Sequence, residues 1–370
     1  MTIADPVDIE LLNRESGGAG SWTLPTWGNP LSDRVLLLCT YQDSLVIPVG
    51  TGFSISPIGM CATGVHVIDE AFPEYKSASR VGLDPRIKSS LGAARGGEQL
   101  AGCLAAISIP PPNSGPVKFG DPGMVAVVEP TDIGLISFSR AVPEQQSQQW
   151  EAFPISPMMP KIGSTVYCVG YCEFDSTSKL TTSELFSYDR QTIEQVLKAN
   201  FRVTKGEVTH VYTQKYADGF GSGACFRVSC PLKHGQSGGP VFNSDGYVCG
   251  VNMSSTLDSP QDSSLVSALW EALGGVVKLP DIMVANYAKY KIPQEVTLMS
   301  LIKNGCVISD GSEKHRIEIS RNGQLAIMPP EAVVKLYQRT GMAIPDELEQ
   351  LRDLDIPDGV FSNFAESISQ

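Results

Sequence analysis

The stretch KHGQSGGPVF, residues 233–242, places one serine among three glycines directly before an apolar run. A serine in a glycine-rich bend is most often only a turn residue, because such bends need residues that tolerate unusual backbone angles. A serine hydroxyl becomes a nucleophile when a base lies within hydrogen-bond reach and a carboxylate orients that base. The histidines and acidic residues elsewhere in the chain therefore decide how Ser237 is interpreted.

The candidate base is His66, in the run GMCATGVHVID. The candidate carboxylate is Asp132, because it lies on the apolar run TDIGLISFS, whereas Asp69 lies too close to His66 and the other aspartates before Ser237 lie in loop-like contexts. Taken singly, each residue is more often a structural group than a catalytic one. The other three histidines lie in a strand-like run, in a C-terminal hairpin and in the serine's own bend: His210, His315 and His234.

Short runs rich in β-branched residues recur on both sides of a Gln- and Pro-rich segment, residues 144–160. Turn-forming residues separate these runs, which is typical of consecutive antiparallel strands. Two strand-rich halves predict a mostly β protein built from two β-barrels. The runs are residues 34–42, 44–56, 59–69 and 123–139 before the segment, and 164–172, 201–213, 223–230 and 240–254 after it.

The two ends of the chain have a different texture. Residues 1–30 mix Gly, Ser and Pro without a period and are expected to form an arm that gains structure by packing onto a neighbour. After about residue 290, a helix in VTLMSLIKNG, a hairpin turning at Asn322-Gly323 and two further helices in 329–341 and 345–359 predict a small, separate α+β region. The predicted division is an arm at 1–30, a core at 31–290 with barrels at about 31–142 and 160–290, and a C-terminal region at 291–370.

Four short motifs resemble those of the trypsin-like, chymotrypsin-clan serine proteases, and they are closest to bacterial HtrA-like trypsin-fold peptidases. They are Thr51-Gly52-Phe53, CATGVHV at 61–67, TDIGLI at 131–136 and GQSGGP at 235–240. Their order along the chain is that of the chymotrypsin clan rather than of subtilisins or α/β-hydrolases. The resemblance covers about residues 34–255 and implies two six-stranded antiparallel barrels with a small α+β C-terminal appendage.

The resemblance also implies roles for these residues. Ser237 would attack a peptide carbonyl, His66 would take and return the proton, and Asp132 would orient the imidazole. The backbone N–H groups of Gly235 and Ser237 would form the oxyanion hole, where losing one donor costs roughly 100- to 1000-fold in rate. The expected activity is that of a serine endopeptidase that forms an acyl-enzyme.

Two features depart from the better-known members of the clan. Gln236 stands where zymogens have an Asp that pairs with a new amino terminus, and no Ile-Val-Gly-Gly stretch precedes the first barrel. Activation by N-terminal cleavage is therefore not expected. The last 80 or so residues also lack the carboxylate-binding G-L-G-F-like loop of the PDZ domain that usually follows an HtrA protease.

Substrate specificity is expected to depend on two segments beside the nucleophile. A trypsin-like preference is not expected, because the position six residues before the serine is a proline. Lys233 and His234 in the first segment suggest attraction of an acidic side chain, although a lysine beside a loop is more often a solvated surface charge. The expected lining residues are Pro231, Leu232, Lys233 and His234, with Val251, Asn252, Met253 and Ser254.

Composition limits the partners. A net charge of -12 argues against nucleic acid or an anionic membrane as the main partner, because both require a basic surface. No secretory signal pattern is visible, so a cytoplasmic location is expected. Nine cysteines scattered singly favour buried thiols over disulfides, and neither a metal nor a cofactor is expected. A zinc site is the less favoured interpretation of Cys168, Cys172, Cys225 and Cys230, whose spacing is loose.

Two other functions remain as alternatives. The same fold could serve as a catalytically silent or conditionally active peptide-binding module, although His66, Asp132 and Ser237 are all present. A lipase-like esterase needs a histidine after the serine, and only His315 meets that condition. The expected partner is a protein or peptide substrate. A protease of this kind must be restrained, either by the C-terminal appendage or by a regulatory protein partner.

Overall fold

The structure, a computed structural model, describes most of the two predicted barrels and parts of both ends of the chain. Its strands alternate with turns along the whole described sequence, and nearly all the regular structure is β. The described residues are 5–16, 20–24, 29, 31–42, 45–57, 59–71, 104–108, 118–128, 131–140, 150–173, 180–181, 200–212, 224–254, 263–274, 276–278, 293, 295–315, 318–321, 324–327, 334, 337–338, 341, 343–344 and 349.

Eighteen strands are described, with three α-helices among them. In chain order the strands are β1 (Ser21–Leu24), β2 (Val35–Gln42), β3 (Leu45–Ser54), β4 (Met60–Gly64), β5 (Leu104–Ser108), β6 (Lys118–Val128), β7 (Ile133–Arg140), β8 (Thr165–Cys172), β9 (Leu180–Thr181), β10 (Asn200–Tyr212), β11 (Cys225–Val228), β12 (Pro240–Phe242), β13 (Val248–Ser254), β14 (Ser264–Ala268), β15 (Val276–Lys278), β16 (Glu295–Thr297), β17 (Glu318–Arg321) and β18 (Gln324–Ile327). The helices are α1 (Ile9–Ser16), α2 (Val65–Ala71) and α3 (Leu298–Lys303), with 3-10 turns at Leu269–Gly274 and Ser312–His315.

The first barrel is a closed ring of six antiparallel strands. The ring runs β2-β5-β6-β7-β4-β3, and pairing between β2 and β3 closes it. Strand β2 shows why the sequence folds this way, because successive side chains of a strand point to opposite faces. Leu37 and Cys39 join one core cluster while Leu36 and Leu38 join the other, so the apolar run buries both faces of the strand.

The second barrel is also a closed six-stranded ring. It runs β8-β10-β11-β14-β13-β12, and β10 closes it by pairing with β8 as well as β11. A bulge in β10 between Val208 and His210 lets this long strand serve both neighbours. The mostly β architecture of two six-stranded antiparallel barrels that the sequence predicted is therefore confirmed.

Both ends of the chain pack onto the barrels. Strand β1 extends the second sheet by pairing with β10, and the Val7 N–H donates to Gly246 O at 3.0 Å. In the C-terminal part, a capping box of Thr297 and Ser300 starts α3, and β17 and β18 pair as the predicted hairpin. The two helices predicted in 329–341 and 345–359 lie outside the described residues apart from isolated positions.

The C-terminal region is less separate than its sequence suggests. Leu298, Leu301 and Val307 belong to the same buried cluster as the barrel interiors, and Ser56 Oγ donates to Cys306 O at 2.8 Å. Residues 296–307 are thus continuous with the main core. The division of the chain at 1–30, 31–290 and 291–370 stays a prediction.

Three local predictions were wrong or incomplete. The run at 59–69 is not one strand, because β4 ends at Gly64 and the chain continues as α2. Strand β14 was missed, since SLVSA is short and rich in serine, yet it pairs on both edges with β11 and β13. The helix α1 in the arm was also missed.

The eight cysteines within the described residues are all buried. Burial raises the pKa of Cys172 to about 11. None of the helices that the structure describes is long and apolar enough to cross a membrane.

Candidate active site

His66 and Asp132 are brought together by neighbouring antiparallel strands. In the register of β4 and β7, Gly64 lies opposite Ile133, so the residues just beyond these ends meet. Asp132 Oδ2 lies 2.6 Å from His66 Nδ1, and Asp132 Oδ1 accepts a hydrogen bond from the backbone N–H of His66 at 3.1 Å. Because the carboxylate accepts at Nδ1, it favours the tautomer whose Nε2 is free to accept a proton.

Gly64 leaves room for the His66 ring. A Cβ at this position would lie 2.7 Å from His66 Cε1, 2.9 Å from Nδ1 and 3.4 Å from Asp132 Oδ2. Any side chain at position 64 would therefore press on the histidine-carboxylate pair.

The charges around the ring favour the protonated form of His66. Burial of the ring lowers its pKa, but the hydrogen bond and negative charge of Asp132, helped by Glu70 and Asp69, outweigh burial and raise the pKa above the ordinary value. The pair thus stabilises an imidazolium. That is the species that forms when the ring accepts a proton from a nucleophile.

The loop that carries Ser237 presents two unused backbone donors. Gly235 has φ +92°, an angle that favours glycine. In a trans peptide, the C=O of one residue and the N–H of the next point in opposite directions. A hydrogen bond to the carbonyl therefore also fixes the direction of that N–H. His234 O accepts from Glu173 N at 3.4 Å, and Gln236 O accepts from Gly239 N at 3.0 Å. Among the described residues, nothing accepts a hydrogen bond from the N–H of Gly235 or Ser237.

The Ser237 hydroxyl is hydrogen-bonded to a backbone carbonyl rather than to His66. Ser237 Oγ donates to Met253 O at 2.7 Å. His66 Nε2 is buried and has no hydrogen-bond partner within the part of the chain that the structure describes. A rotamer of Ser237 that hydrogen-bonds to His66 Nε2 would replace the bond to Met253 O and give the buried nitrogen a partner. A neutral hydrogen bond contributes about 0.5–1.5 kcal/mol, so this rotation is a small step beside a chemical barrier.

Gln236 stabilises its own loop. The residue is fully buried, its Oε1 accepts from the Lys233 N–H at 2.9 Å, and its own N–H donates to Lys233 O at 3.0 Å. A neutral side chain thus closes this bend locally, where a zymogen would use a charged pair with a distant terminus.

The predicted specificity residues differ in exposure. Pro231, Lys233 and His234 are exposed, whereas Leu232 is buried and its N–H donates to Ser264 Oγ at 2.9 Å. In the second segment Val251 and Met253 are buried, and Met253 packs with Cys225 and Leu265.

Asn252 has a structural contact that its sequence position did not suggest. The side chain is fully buried, and its Nδ2 donates to Val169 O and Gln236 O at 3.0 and 3.1 Å. Nothing is described of the Ser254 side chain. The catalytic and substrate-binding roles assigned from the sequence stay predictions.

Several contacts at the site could not be read from motifs. The acceptor for Ser237 is the backbone carbonyl of Met253, and the donor to His234 O is the N–H of Glu173, a non-glycine residue with φ +55°. Neither leaves a pattern of residue types. No cluster of three or more potential metal-binding side chains occurs among the described residues.

Comparisons with known proteins place this site in a family. The family profile described as trypsin-like peptidase domain matches residues 50–251, more than half of the chain, and that span includes His66, Asp132 and Ser237. No curated protein matches the chain.

Several solved structures resemble the chain at low sequence identity. The MamO protease domain from Magnetospirillum magneticum is 13% identical over 65% of this chain and 93% of its own, with a TM-score of 0.40. Deg5 is 14% identical over 64% and 84%, with a TM-score of 0.39. An inactive form of the Rv3671c protease, from M. tuberculosis, is 15% identical over 73% and 95%, with a TM-score of 0.38. On the profile match, the chain belongs to the family of trypsin-like peptidase domains.

Proposed function

We propose that this protein is a serine endopeptidase that cleaves protein or peptide substrates through His66, Asp132 and Ser237. The observation that carries the proposal is the 2.6 Å contact between His66 Nδ1 and Asp132 Oδ2, which leaves Nε2 as a buried acceptor without a partner. A buried polar atom without a partner is unfavourable by about 1–3 kcal/mol, so a conformation that supplies a hydroxyl donor is stabilised.

In the first half of the reaction, Ser237 Oγ leaves Met253 O and attacks the carbonyl carbon of the scissile peptide bond. His66 Nε2 takes the hydroxyl proton as the new C–O bond forms, and Asp132 stabilises the imidazolium. The carbonyl oxygen becomes an oxyanion and accepts hydrogen bonds from the N–H groups of Gly235 and Ser237. The intermediate then expels the leaving amine, which receives the proton from Nε2, and an acyl-enzyme remains.

In the second half, water replaces the amine. His66 Nε2 removes a proton from the water as its oxygen attacks the ester carbonyl, and the same two N–H groups bind the second oxyanion. Collapse releases the carboxylic acid and returns the proton to Ser237 Oγ. No proteolytic activation is needed, because Gln236 holds the bend with bonds inside the loop.

A second candidate function is a conditionally active peptide-binding module. The observation that favours it is the hydrogen bond from Ser237 Oγ to Met253 O, which leaves the serine and histidine apart in this structure. In that case a regulatory protein would have to release the serine before cleavage.

The test is hydrolysis of a mixed peptide library by the full chain, with products identified by mass spectrometry. The proposal expects cleavage that is abolished in Ser237→Ala and reduced by about 10⁴-fold in Asp132→Asn, because the asparagine would favour the wrong histidine tautomer. Cleavage that survives in Ser237→Ala would refute the proposal. Peptide binding without cleavage would favour the second candidate.

A further inference from the structure

We infer that Thr51 is a positioning residue that holds the nucleophile loop, residues 233–239, in its competent shape. The inference rests on the proposed function and deepens it. Thr51 lies on β3 of the first barrel, whereas the loop belongs to the second, so any bond between them crosses the interface that the active site spans. The Thr51 side chain is fully buried.

Two hydrogen bonds from Thr51 hold the carbonyl groups of Gly235 and Ser237. The Thr51 N–H donates to Ser237 O at 2.9 Å. Its hydroxyl donates to Gly235 O at 2.8 Å. One residue of the first barrel therefore fixes the Gly235–Gln236 and Ser237–Gly238 peptide groups.

The hydroxyl of Thr51 both donates and accepts a hydrogen bond. Besides donating to Gly235 O, Thr51 Oγ1 accepts from the Tyr171 N–H at 2.9 Å, at the end of β8. The surroundings are tight, because a Cβ on Gly170 would lie 3.0 Å from both Thr51 Oγ1 and the Gln236 Cα. Loss of the hydroxyl would thus leave two buried backbone groups unpaired, with little room for a water to replace it.

Thr51 also ties the loop to the strand that leads to His66. Thr63 Oγ1 donates to Thr51 O at 2.7 Å, and Thr63 precedes the turn into α2 by two residues. The nucleophile and the base are thereby located relative to the same residue.

Loss of the hydrogen bond from the Thr51 hydroxyl would affect catalysis through Gly235. Its preceding peptide is held through His234 O by the Glu173 N–H, and its own carbonyl is held by the Thr51 hydroxyl. Together these bonds hold Gly235 at its φ of +92°, with its N–H making no hydrogen bond among the described residues. Without the hydroxyl, rotation about Gly235 would misdirect one of the two oxyanion donors.

The experiment compares Thr51→Val with Thr51→Ser. Valine keeps the shape of the side chain but lacks the hydroxyl, whereas serine keeps the hydroxyl. Because an oxyanion contact forms mainly in the transition state, Thr51→Val should lower kcat by about 10- to 100-fold with little change in KM. Thr51→Ser should recover most of the wild-type kcat.

The matched control is Ser54→Ala. Ser54 is a fully buried residue on the same strand, and its hydroxyl donates to Ser56 O at 3.4 Å rather than to the loop. This variant should keep the wild-type kcat. A thermal unfolding curve for each variant separates loss of folded protein from loss of turnover.

Amide hydrogen exchange of the loop gives a readout that does not depend on catalysis. The N–H groups of Gln236, Gly238 and Gly239 all donate to backbone carbonyls, so they should exchange faster in Thr51→Val than in the wild type, Thr51→Ser or Ser54→Ala.

Each outcome decides one claim. The role of the hydroxyl would be overturned if Thr51→Val kept the wild-type kcat and the wild-type amide exchange of the loop. It would also be overturned if Thr51→Val and Thr51→Ser lost kcat equally. If the wild-type protein cleaves no peptide, the proposed function fails, and the exchange pattern alone then upholds or overturns the positioning role of Thr51.

Discussion

Gly64→Ala should separate activity from folding. A methyl group at this position would lie 2.7 Å from His66 Cε1 and 2.9 Å from Nδ1, whereas ordinary contact begins at 3.4 Å. The ring must therefore move by about 0.7 Å, away from a hydrogen bond to Asp132 that is only 2.6 Å long.

The size of the effect follows from that displacement. A misplacement of about 1 Å in a catalytic group costs about 100-fold in rate, so Gly64→Ala should lower kcat/KM by about 10- to 100-fold. That loss corresponds to about 1.4–2.7 kcal/mol of transition-state stabilisation. Stability should change less, because the His66 side chain is 39% exposed and can yield, and Gly64 does not have a positive φ that would strain alanine.

The assay is the steady-state hydrolysis of a peptide found by library screening, together with chemical denaturation of each variant. Gly20→Ala is the control, because a Cβ there would have no atom within 4 Å. Wild-type kcat/KM in Gly64→Ala would refute the assigned role of the His66–Asp132 geometry.

Three further predictions follow from the same structure. The kcat/KM should rise with pH as His66 loses its proton, with a midpoint above about 6.5 because its pKa is raised, and Asp132→Asn should move the midpoint lower; a pH–rate profile tests this. Leu301→Ala should cost about 2–5 kcal/mol of unfolding free energy in a denaturant titration, because Leu301 is fully buried in the shared core. In a crystal of a phosphonate adduct, Ser237 Oγ should have left Met253 O, and His66 Nε2 should lie within hydrogen-bond distance of an adduct oxygen; an imidazole rotated away would contradict the mechanism.

The barrels could be predicted because their strands have strong local patterns. The run VLLLC of β2 is apolar at every position and buries both faces. It can therefore be predicted as a strand without knowing which strands it pairs with. The serine-rich β14 lacks such a pattern. It is a strand because it pairs with β11 on one edge and with β13 on the other. The sequence of its five residues does not reveal these partners.

The sequence predicted which side chains form the candidate site, but it did not predict the backbone conformation and backbone contacts around them. Residue types and order singled out His66 and Asp132, but the β-branched run around His66 favoured a strand rather than α2. The turn is fixed by tertiary contacts, since the Val65 N–H donates to Asp132 O at 3.0 Å. The carbonyl of Met253 that holds Ser237 is likewise a backbone atom, which no motif specifies.

The most direct test of the central claim is the intact mass of the full chain after incubation with a fluorophosphonate, beside Ser237→Ala and His66→Ala. The proposed mechanism predicts one covalent adduct on the wild-type protein, none on Ser237→Ala and much slower labelling of His66→Ala. Equal labelling of all three proteins, or an unlabelled wild type, would contradict an activated Ser237.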